Sequence, residues 1–226
     1  KEFDRFGFGN CKEYSIFNPY EAQIDTGNMM QELLKKAISE NILILNQQIV
    51  TSYNDSNTNV EVVLGEFSFK TKKLLFATNG FANQLLNVAV KPARAQVLIT
   101  KPIPNLDIKG TFHIDKGYFY FRNIGKRILI GGGRNKLGSK EETFLFDQTD
   151  EAFTLLSTIL KGHIEGVKDP KMDYHWSGIL GIGGNKKPII AEVSEGVFVG
   201  VRMGGMGVAI CSLVGKQLAE LTKIAN

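Results

Sequence analysis

A glycine-rich turn between an apolar strand and the last helix is the feature that most constrains this chain. Nine of its 24 glycines fall between Gly178 and Gly207, and the apolar run Val197 to Val201 leads through them into a long helical pattern. Glycines clustered in this way indicate backbone that lies close to something. The start of a helix adds free backbone N–H groups and a positive dipole end. The turn therefore predicts a site for a phosphate, a carboxylate or an electron-rich ring, with a tight turn that needs glycine only for packing as the alternative.

Short apolar runs separated by turn signals fill most of the remaining chain. They predict roughly ten strands against four helices, which indicates an α/β or α+β fold with one large, mostly antiparallel sheet. The predicted helices are Asp25 to Asn41, Phe81 to Leu86, Glu151 to Leu160 and Met206 to Ile224. The predicted strands are Ile42–Leu45, Ile49–Tyr53, Val60–Leu64, Phe67–Phe69, Leu74–Ala77, Arg94–Thr100, Gly117–Arg122, Arg127–Ile130, Asp173–Leu180, Pro188–Val193 and Val197–Val201.

Composition excludes several classes of protein. The 226 residues carry 27 Lys and Arg against 23 Asp and Glu, and a net charge of +4 is too small to indicate nucleic-acid binding. A hydrophobic content of 43% argues against disorder. We see no apolar run of membrane-spanning length and no signal peptide, and two cysteines are too few for a disulfide scaffold. These features predict a folded, cytoplasmic protein.

Two further segments could contact a ligand. Small residues in Ala77-Thr78-Asn79-Gly80 follow a predicted buried strand, where backbone can approach a ligand at the carboxyl end. In the strand that contains Tyr118, Tyr120 and Arg122, alternation places these three side chains on one face, which could clamp a small carboxylate. An ordinary turn and a half-exposed strand are the respective alternatives. The three histidines are scattered, so no metal site is predicted.

Five segments occur in an order that is typical of one enzyme family. They are Ile24 to Val50, Ala77 to Gly80, Tyr118 to Gly132, Trp176 to Ile190, and Gly205 to Gly207. In this order the chain resembles the FAD-dependent oxidoreductases of the D-amino-acid oxidase, glycine oxidase and sarcosine oxidase type, over nearly its whole length. The resemblance implies an α/β fold in which an FAD-binding-type domain, incomplete here, is joined to a large, mostly antiparallel substrate-binding sheet.

The resemblance also implies a function, the FAD-dependent oxidation of a C–N bond in a small amine or amino acid. FAD would be held non-covalently, because no cysteine lies near Trp176. The positions that resemble cofactor contacts are Val50, Ala77, Thr78, Asn79, Gly80, Gly181, Ile182, Gly204, Gly205, Met206, Gly207 and Val208. Those that resemble substrate contacts are Tyr118, Tyr120, Arg122 and Arg202. No residue is assigned a catalytic role.

One departure from the family shapes the expected domain organisation. Its members begin with a strand, a Gly-x-Gly-x-x-Gly turn and a helix, which hold the FAD pyrophosphate, and no such pattern precedes residue 25. We therefore expect the carboxyl-terminal part of a longer enzyme that alone holds FAD weakly or not at all. Residues 1–80 would be the late part of the FAD-binding domain, 81–175 the substrate-binding domain, and 176–226 the return to the FAD-binding domain with the final helix.

Two other interpretations of the sequence stay open. The chain could be a non-enzymatic α+β domain that binds a ligand or a partner. It could also be a flavoprotein of the same fold with other chemistry, such as C–O oxidation or tRNA modification. The substrate, the electron acceptor and the oligomeric state are not specified by any motif.

Overall fold

The computed structural model describes residues 6–9, 15–56, 58–164 and 169–224. The chain divides into two compact units. Residues 1–24 and 94–179 form unit 1, and residues 25–93 and 180–226 form unit 2. Each unit is therefore built from two separate stretches of sequence.

The described part of the chain contains four α-helices and eleven strands. The helices are α1 (Thr26–Ser39), α2 (Arg134–Leu137), α3 (Asp150–His163) and α4 (Gly207–Ile224). The strands are β1 (Ser52–Ser56), β2 (Asn59–Leu64), β3 (Phe67–Thr71), β4 (Leu74–Phe76), β5 (Lys91–Thr100), β6 (Thr111–Ile114), β7 (Phe119–Ile124), β8 (Arg127–Gly132), β9 (Met172–Ile182), β10 (Ile189–Ser194) and β11 (Val197–Val201). Short 3-10 helices occupy Asn79–Gln84 and Gly138–Glu141.

Unit 2 contains two three-stranded sheets. One is antiparallel in the order β1-β2-β3, and the other has the order β10-β11-β4, in which β11 and β4 run parallel. The core of this unit is formed by apolar side chains from both sheets and from residues 82–90. Helix α4 packs on β11, where Val214 and Leu218 lie over Gly200; a Cβ at Gly200 would come within 2.9 Å of Leu218 Cδ2. Two apolar residues of the last helix are thus buried.

Unit 1 is organised around a five-stranded sheet in the order β6-β7-β8-β5-β9. Strand β7 alternates as expected, because Phe119 and Phe121 are buried while Tyr120 is exposed. The buried face carries a core that includes Leu98, Ile130 and the inner side of α3. The predicted α/β fold with a large antiparallel sheet is confirmed.

Helix α1 forms where its sequence signals place it. The side chain of Asp25 accepts a hydrogen bond of 2.9 Å from the backbone N–H of Asn28, which caps the first turn. After the helix, Asn41 adopts a left-handed backbone with a φ of 60°. The apolar stripe of α1 is nonetheless exposed, and no residue of the helix is buried.

Three local predictions were wrong. Residues 42–45 were predicted as a buried strand, but they form no strand and Leu43 is 82% exposed. The N–H of Ile42 turns back to the carbonyl of Ala37, and no strand of the described chain lies alongside this run. The first strand of the β1-β2-β3 sheet lies at residues 52–56, whereas it was predicted at residues 49–53. The helix predicted at residues 81–86 is instead a 3-10 helix at residues 79–84. Strand β6 was not predicted at all.

Candidate functional site

The turn between β11 and α4 has the geometry of a backbone anion site. Its left-handed positions are Arg202, Gly204 and Gly205, with φ angles of 67°, 59° and 90°. The backbone N–H of Met206 donates to the carbonyl of Met203 at 2.9 Å. Among the described residues, the N–H groups of Gly205, Gly207 and Val208 have no hydrogen-bond partner. These three donors lie at the positive end of an 18-residue helix.

Asn79 holds this turn in place from the end of β4. Its side-chain oxygen Oδ1 accepts hydrogen bonds of 3.1 Å from the backbone N–H groups of both Arg202 and Met203. The backbone of Asn79 is left-handed, with a φ of 48°, a conformation that asparagine tolerates better than most residues. The Ala77–Gly80 segment and the glycine-rich turn are therefore joined through one amide side chain.

Gly181 completes the same cluster from β9. Its carbonyl accepts a 2.9 Å hydrogen bond from the N–H of Gly204. A Cβ at Gly181 would lie 2.5 Å from Oδ1 of Asn79, so no side chain fits there. Three of the segments predicted to contact a cofactor thus meet at one point in unit 2.

Gly205 and Gly207 are glycines for different reasons, although an added Cβ would clash with no protein atom at either position. At Gly205 the nearest atom to an added Cβ is Leu180 Cδ1 at 3.9 Å, and glycine is needed there for its positive φ. At Gly207 the φ is ordinary, and an added Cβ would make van der Waals contact with Met203 at 3.7 Å. The fold itself does not require glycine at Gly207, whereas a ligand seated close above the helix end would.

The other predicted cofactor positions surround this cluster or lie elsewhere in unit 2. Ala77 and Thr78 are exposed, Gly80 is buried, and Ile182 ends β9. Met206 and Val208 expose more than half of their side chains. Val50, ahead of β1, is partly buried against the core of unit 2. For all of these, cofactor contact stays a prediction.

The Arg202 guanidinium donates hydrogen bonds to neighbouring segments of unit 2 and so fixes the turn that it belongs to. It donates to the carbonyl of Lys187 at 2.9 Å, to the carbonyl of Ala89 at 3.2 Å and to Oδ1 of Asn185 at 3.1 Å. A guanidinium has five N–H donors, so these three contacts occupy most of them. These hydrogen bonds were not predicted from the sequence. They favour a structural role for Arg202 over the predicted substrate contact.

The predicted substrate face lies on the sheet of unit 1. Tyr120 stands opposite Gly131 of β8, and an added Cβ at Gly131 would lie 2.5 Å from the Tyr120 hydroxyl. The ring therefore packs over Gly131, so its hydroxyl end is shielded although the residue as a whole is 36% exposed, and this burial of the hydroxyl raises the pKa of Tyr120. His113 of β6 is the other neighbour in register.

Arg122 lies two residues further along the same face and donates to the carbonyl of Ile24 at 2.8 Å. Tyr118, just before β7, is 51% exposed. Tyr120 and Arg122 therefore lie on one face of β7, as alternation requires, whereas Tyr118 belongs to the preceding turn. Substrate binding by this face stays a prediction.

A buried polar network occupies another part of unit 1. Arg94 donates to both carboxylate oxygens of Glu141, at 2.9 and 3.0 Å, and this contact raises the pKa of Arg94. The amide of Gln96 donates to Glu141 and, at 2.9 Å, to Thr149, whose side chain caps α3. Nε2 of His175 lies 3.0 Å from Oε1 of Gln96. No sequence pattern that we considered indicated this network.

Comparison with known proteins identifies the class to which this fold and turn belong. The sequence matches the family described as FAD dependent oxidoreductase, abbreviated DAO, over residues 4–221. The chain therefore belongs to this family. A comparison with curated proteins gives no match.

Solved structures of similar fold include three amine- or amino-acid-related enzymes. L-proline dehydrogenase from P. horikoshii has a TM-score of 0.77 at 20% identity, over 91% of this chain and 57% of that chain. Glycine oxidase from Geobacillus kaustophilus has a TM-score of 0.73 at 19% identity, over 87% and 53%. Iminodiacetate oxidase from a Chelativorans species has a TM-score of 0.70 at 15% identity, over 87% and 55%. The chain thus spans little more than half the length of these structures.

The family's cofactor can be tested against the residues present. The turn at residues 202–208 fits the edge of a flavin ring, because it offers unpaired N–H groups and has no Cβ at Gly207. The 226 residues contain no Gly-x-Gly-x-x-Gly turn for the pyrophosphate. The described residues therefore fit the ring end of FAD.

No helix of the described chain combines the length and apolar character needed to cross a bilayer, and the described residues contain no cluster of three His, Cys, Asp or Glu side chains suited to a metal ion.

Proposed function

We propose that this chain supplies the ring-binding turn and the substrate face of an FAD-dependent oxidoreductase that oxidises a C–N bond in a small amine or amino acid. The observation that carries the proposal is the turn at residues 202–208, held by Asn79 and Gly181 at the carboxyl end of the parallel strands β4 and β11. The names of the similar structures, which act on proline, glycine and iminodiacetate, support the substrate class.

The chain's own residues have separate tasks in this proposal. The N–H groups of Gly205, Gly207 and Val208 donate to the electron-rich edge of the ring and stabilise negative charge there. The side-chain amide of Asn79 keeps these donors in position, because it binds the backbone of Arg202 and Met203 at the start of the turn. FAD, when bound, supplies the hydride acceptor for the oxidation.

The sheet face of unit 1 would orient the substrate. Arg122 would bind a carboxylate, for which a guanidinium fork is well suited. Tyr120 would present a neutral hydroxyl beside it, since a tyrosine of ordinary pKa is already protonated at physiological pH and burial raises the pKa of Tyr120 further. A single carboxylate site next to an aromatic face favours small amino acids over large or cationic amines.

A titration of the chain with FAD tests the site. We expect weak binding, with a Kd above ~1 µM, because the pyrophosphate site is not among these residues. Gly207→Val should abolish what binding there is and leave the apo-protein's thermal midpoint nearly unchanged, since the added carbons meet only Met203. The matched control is Gly215→Val in the middle of α4, where an added Cβ meets nothing within 4 Å.

Three outcomes would contradict these statements. A large fall in the apo midpoint of Gly207→Val would mean that this glycine serves the fold. Sub-micromolar FAD binding by the chain alone would show that these residues hold the whole cofactor. Flavin binding that is equally strong in Gly207→Val and in the control would place the site elsewhere.

A further inference from the structure

The Tyr120 ring lies across the sheet of unit 1 and does not stand up from it. Tyr120 is paired with Gly131 on the neighbouring strand β8. Its hydroxyl oxygen and Cζ lie 2.5 and 2.6 Å from the position that a Cβ of Gly131 would take. Side chains ordinarily stand roughly perpendicular to a sheet. A ring tip this close to the neighbouring backbone therefore means that the Tyr120 ring is folded down over β8.

Gly131 differs from the two glycines that follow it. Its backbone is that of an ordinary strand residue without a positive φ, and the three atoms nearest to an added Cβ all belong to Tyr120. Gly132 and Gly133 have φ angles of 107° and 77°, and a Cβ at Gly132 would collide with the carbonyl oxygen of Tyr118. The backbone thus requires glycine at positions 132 and 133, whereas at position 131 the nearest obstacle is the Tyr120 ring.

The absence of a side chain at Gly131 keeps space open above the substrate face. A Cβ at this position would lie about 4.5–5.5 Å from that of Tyr120, because the two residues are directly opposite each other in an antiparallel pair. The Tyr120 ring would then have to stand up and fill the space above the sheet. In its present position Tyr120 is 36% exposed, so part of the ring faces solvent.

Arg122 places a cation beside this ring. It follows Tyr120 by two residues on the same face of β7, which is about 7 Å along an extended strand. Its Nη1 donates to the carbonyl of Ile24 at 2.8 Å. A guanidinium has five N–H donors, so this bond leaves Arg122 able to bind a carboxylate. A carboxylate held there has the exposed part of the Tyr120 ring next to it.

We propose that Gly131 is a specificity-determining residue of the substrate face. It keeps Tyr120 folded down, so that the carbon skeleton of a substrate lies over the ring while Arg122 holds the carboxylate. The inference rests on the proposed function and deepens it. Apolar carbon that covers an aromatic ring is removed from water, which stabilises the complex. The arrangement therefore favours a small amino acid with a side chain or a ring over glycine, which has no side-chain carbon to place there.

The position of the ring is tested by tyrosine ionisation in the flavin-free 226-residue chain. Burial raises the pKa of Tyr120 above its ordinary value of 10.0, and the ionisation step of Tyr120 is the one that disappears in a matching Tyr120→Phe variant. Gly131→Ala should lift the ring into solvent and return this pKa to about 10. Gly178→Ala in β9 is the matched control, since an added Cβ there meets nothing within 4 Å. An unchanged Tyr120 step in Gly131→Ala would overturn the proposal.

A second measurement covers the case in which Gly131→Ala destabilises the chain. In a Tyr120→Ala background the same substitution should cost nothing in urea unfolding, because the ring no longer occupies the space. An equal loss of stability in both backgrounds would mean that the fold requires this glycine irrespective of Tyr120. That result would overturn the role assigned to Gly131.

Two carboxylates test the consequence for specificity. Acetate presents a carboxylate without a ring, and cyclopentanecarboxylate adds an apolar ring. Their binding to the chain is followed by ligand NMR at up to ~10 mM, where millimolar Kd values are measured. We expect cyclopentanecarboxylate to bind about threefold more tightly than acetate, or better. Gly131→Ala should remove this preference while acetate still binds, and Gly178→Ala should keep it.

The remaining outcomes separate this inference from the proposed function. A preference that persists in Gly131→Ala, although Tyr120 has moved, overturns the specificity role. Binding of both probes that Arg122→Ala abolishes would in that case leave the proposed substrate face standing. Equal binding of the two probes by the original chain overturns the inference alone. Binding of neither probe contradicts the substrate face of the proposed function and overturns the inference with it.

Discussion

Asn79 gives the sharpest test of how the candidate site is assembled. Its Oδ1 atom is the acceptor for two backbone N–H groups, those of Arg202 and Met203, both at 3.1 Å. Asn79→Ala removes both bonds. A net contribution of about 1 kcal/mol per bond, with some additional cost for donors left without an acceptor, gives a loss of about 2–3 kcal/mol. For a protein of this size, this corresponds to about 5–10 °C in the thermal midpoint.

Two further substitutions at Asn79 separate the hydrogen bonds from the backbone. Asn79→Asp keeps an acceptor at the same place, so we expect stability close to that of the original protein. Asn79→Gly loses the bonds but relieves the left-handed backbone at φ 48°, which costs other residues about 1–2 kcal/mol. The glycine variant should therefore be about 1 kcal/mol more stable than the alanine variant.

The assay is thermal and urea unfolding of the flavin-free chain, followed by circular dichroism. The expected order of stability is asparagine and aspartate first, then glycine, then alanine. An alanine variant within 0.5 kcal/mol of the original, or a glycine variant less stable than alanine, would refute the assignment of Asn79 as the residue that holds the turn.

Three other expectations concern unit 1. In the flavin-loaded enzyme, Arg122→Ala should weaken a carboxylate inhibitor by about 2 kcal/mol in an equilibrium titration, with unchanged flavin content, whereas Lys126→Ala in the neighbouring turn should have no effect. Burial lowers the pKa of His175 below its ordinary 6.5, although the nearby charge of Asp150 acts in the opposite direction. The stability that neutral His175 contributes is therefore present above pH 6.5 and is lost as the pH falls through the folded-state pKa. His175→Gln should make the urea midpoint less dependent on pH in that range. Glu141→Ala removes the bidentate partner of the buried Arg94 guanidinium and leaves it only the more distant Asp147, at 3.9 Å, so it should cost about 3–5 kcal/mol in urea unfolding; a loss below 1 kcal/mol would contradict the described burial.

The sequence predicted those helices and strands that are formed mainly by interactions between residues close together in the chain. Helix α1 was predicted at Asp25 to Asn41, and strands β7 and β8 were predicted at Gly117–Arg122 and Arg127–Ile130. The run at residues 42–45 failed because apolar composition indicates burial but cannot show whether a partner strand is present. Strand β6 was missed because its four residues, Thr111–Ile114, are defined by pairing with β7 and carry little pattern of their own.

The candidate site was only partly accessible from the sequence. The glycine-rich turn and the Asn79 segment were both selected, but their connection depends on contacts between residues more than 120 positions apart. Arg202 was given as a position that resembles a substrate contact in the family. Its partners, the carbonyls of Ala89 and Lys187, are backbone groups that every residue possesses. No sequence pattern can identify such acceptors.

The buried network around Glu141 has a kinetic consequence for unit 1. Its hydrogen bonds join β5 to the 3-10 helix at residues 138–141 and to the cap of α3, across sequence separations of 47 and 53 residues. Contacts that close loops of this length form only after the loop entropy has been overcome. The three segments should consequently dock late in folding and open as one cooperative block, with amide hydrogens in β5 and in the first turn of α3 exchanging at a common rate.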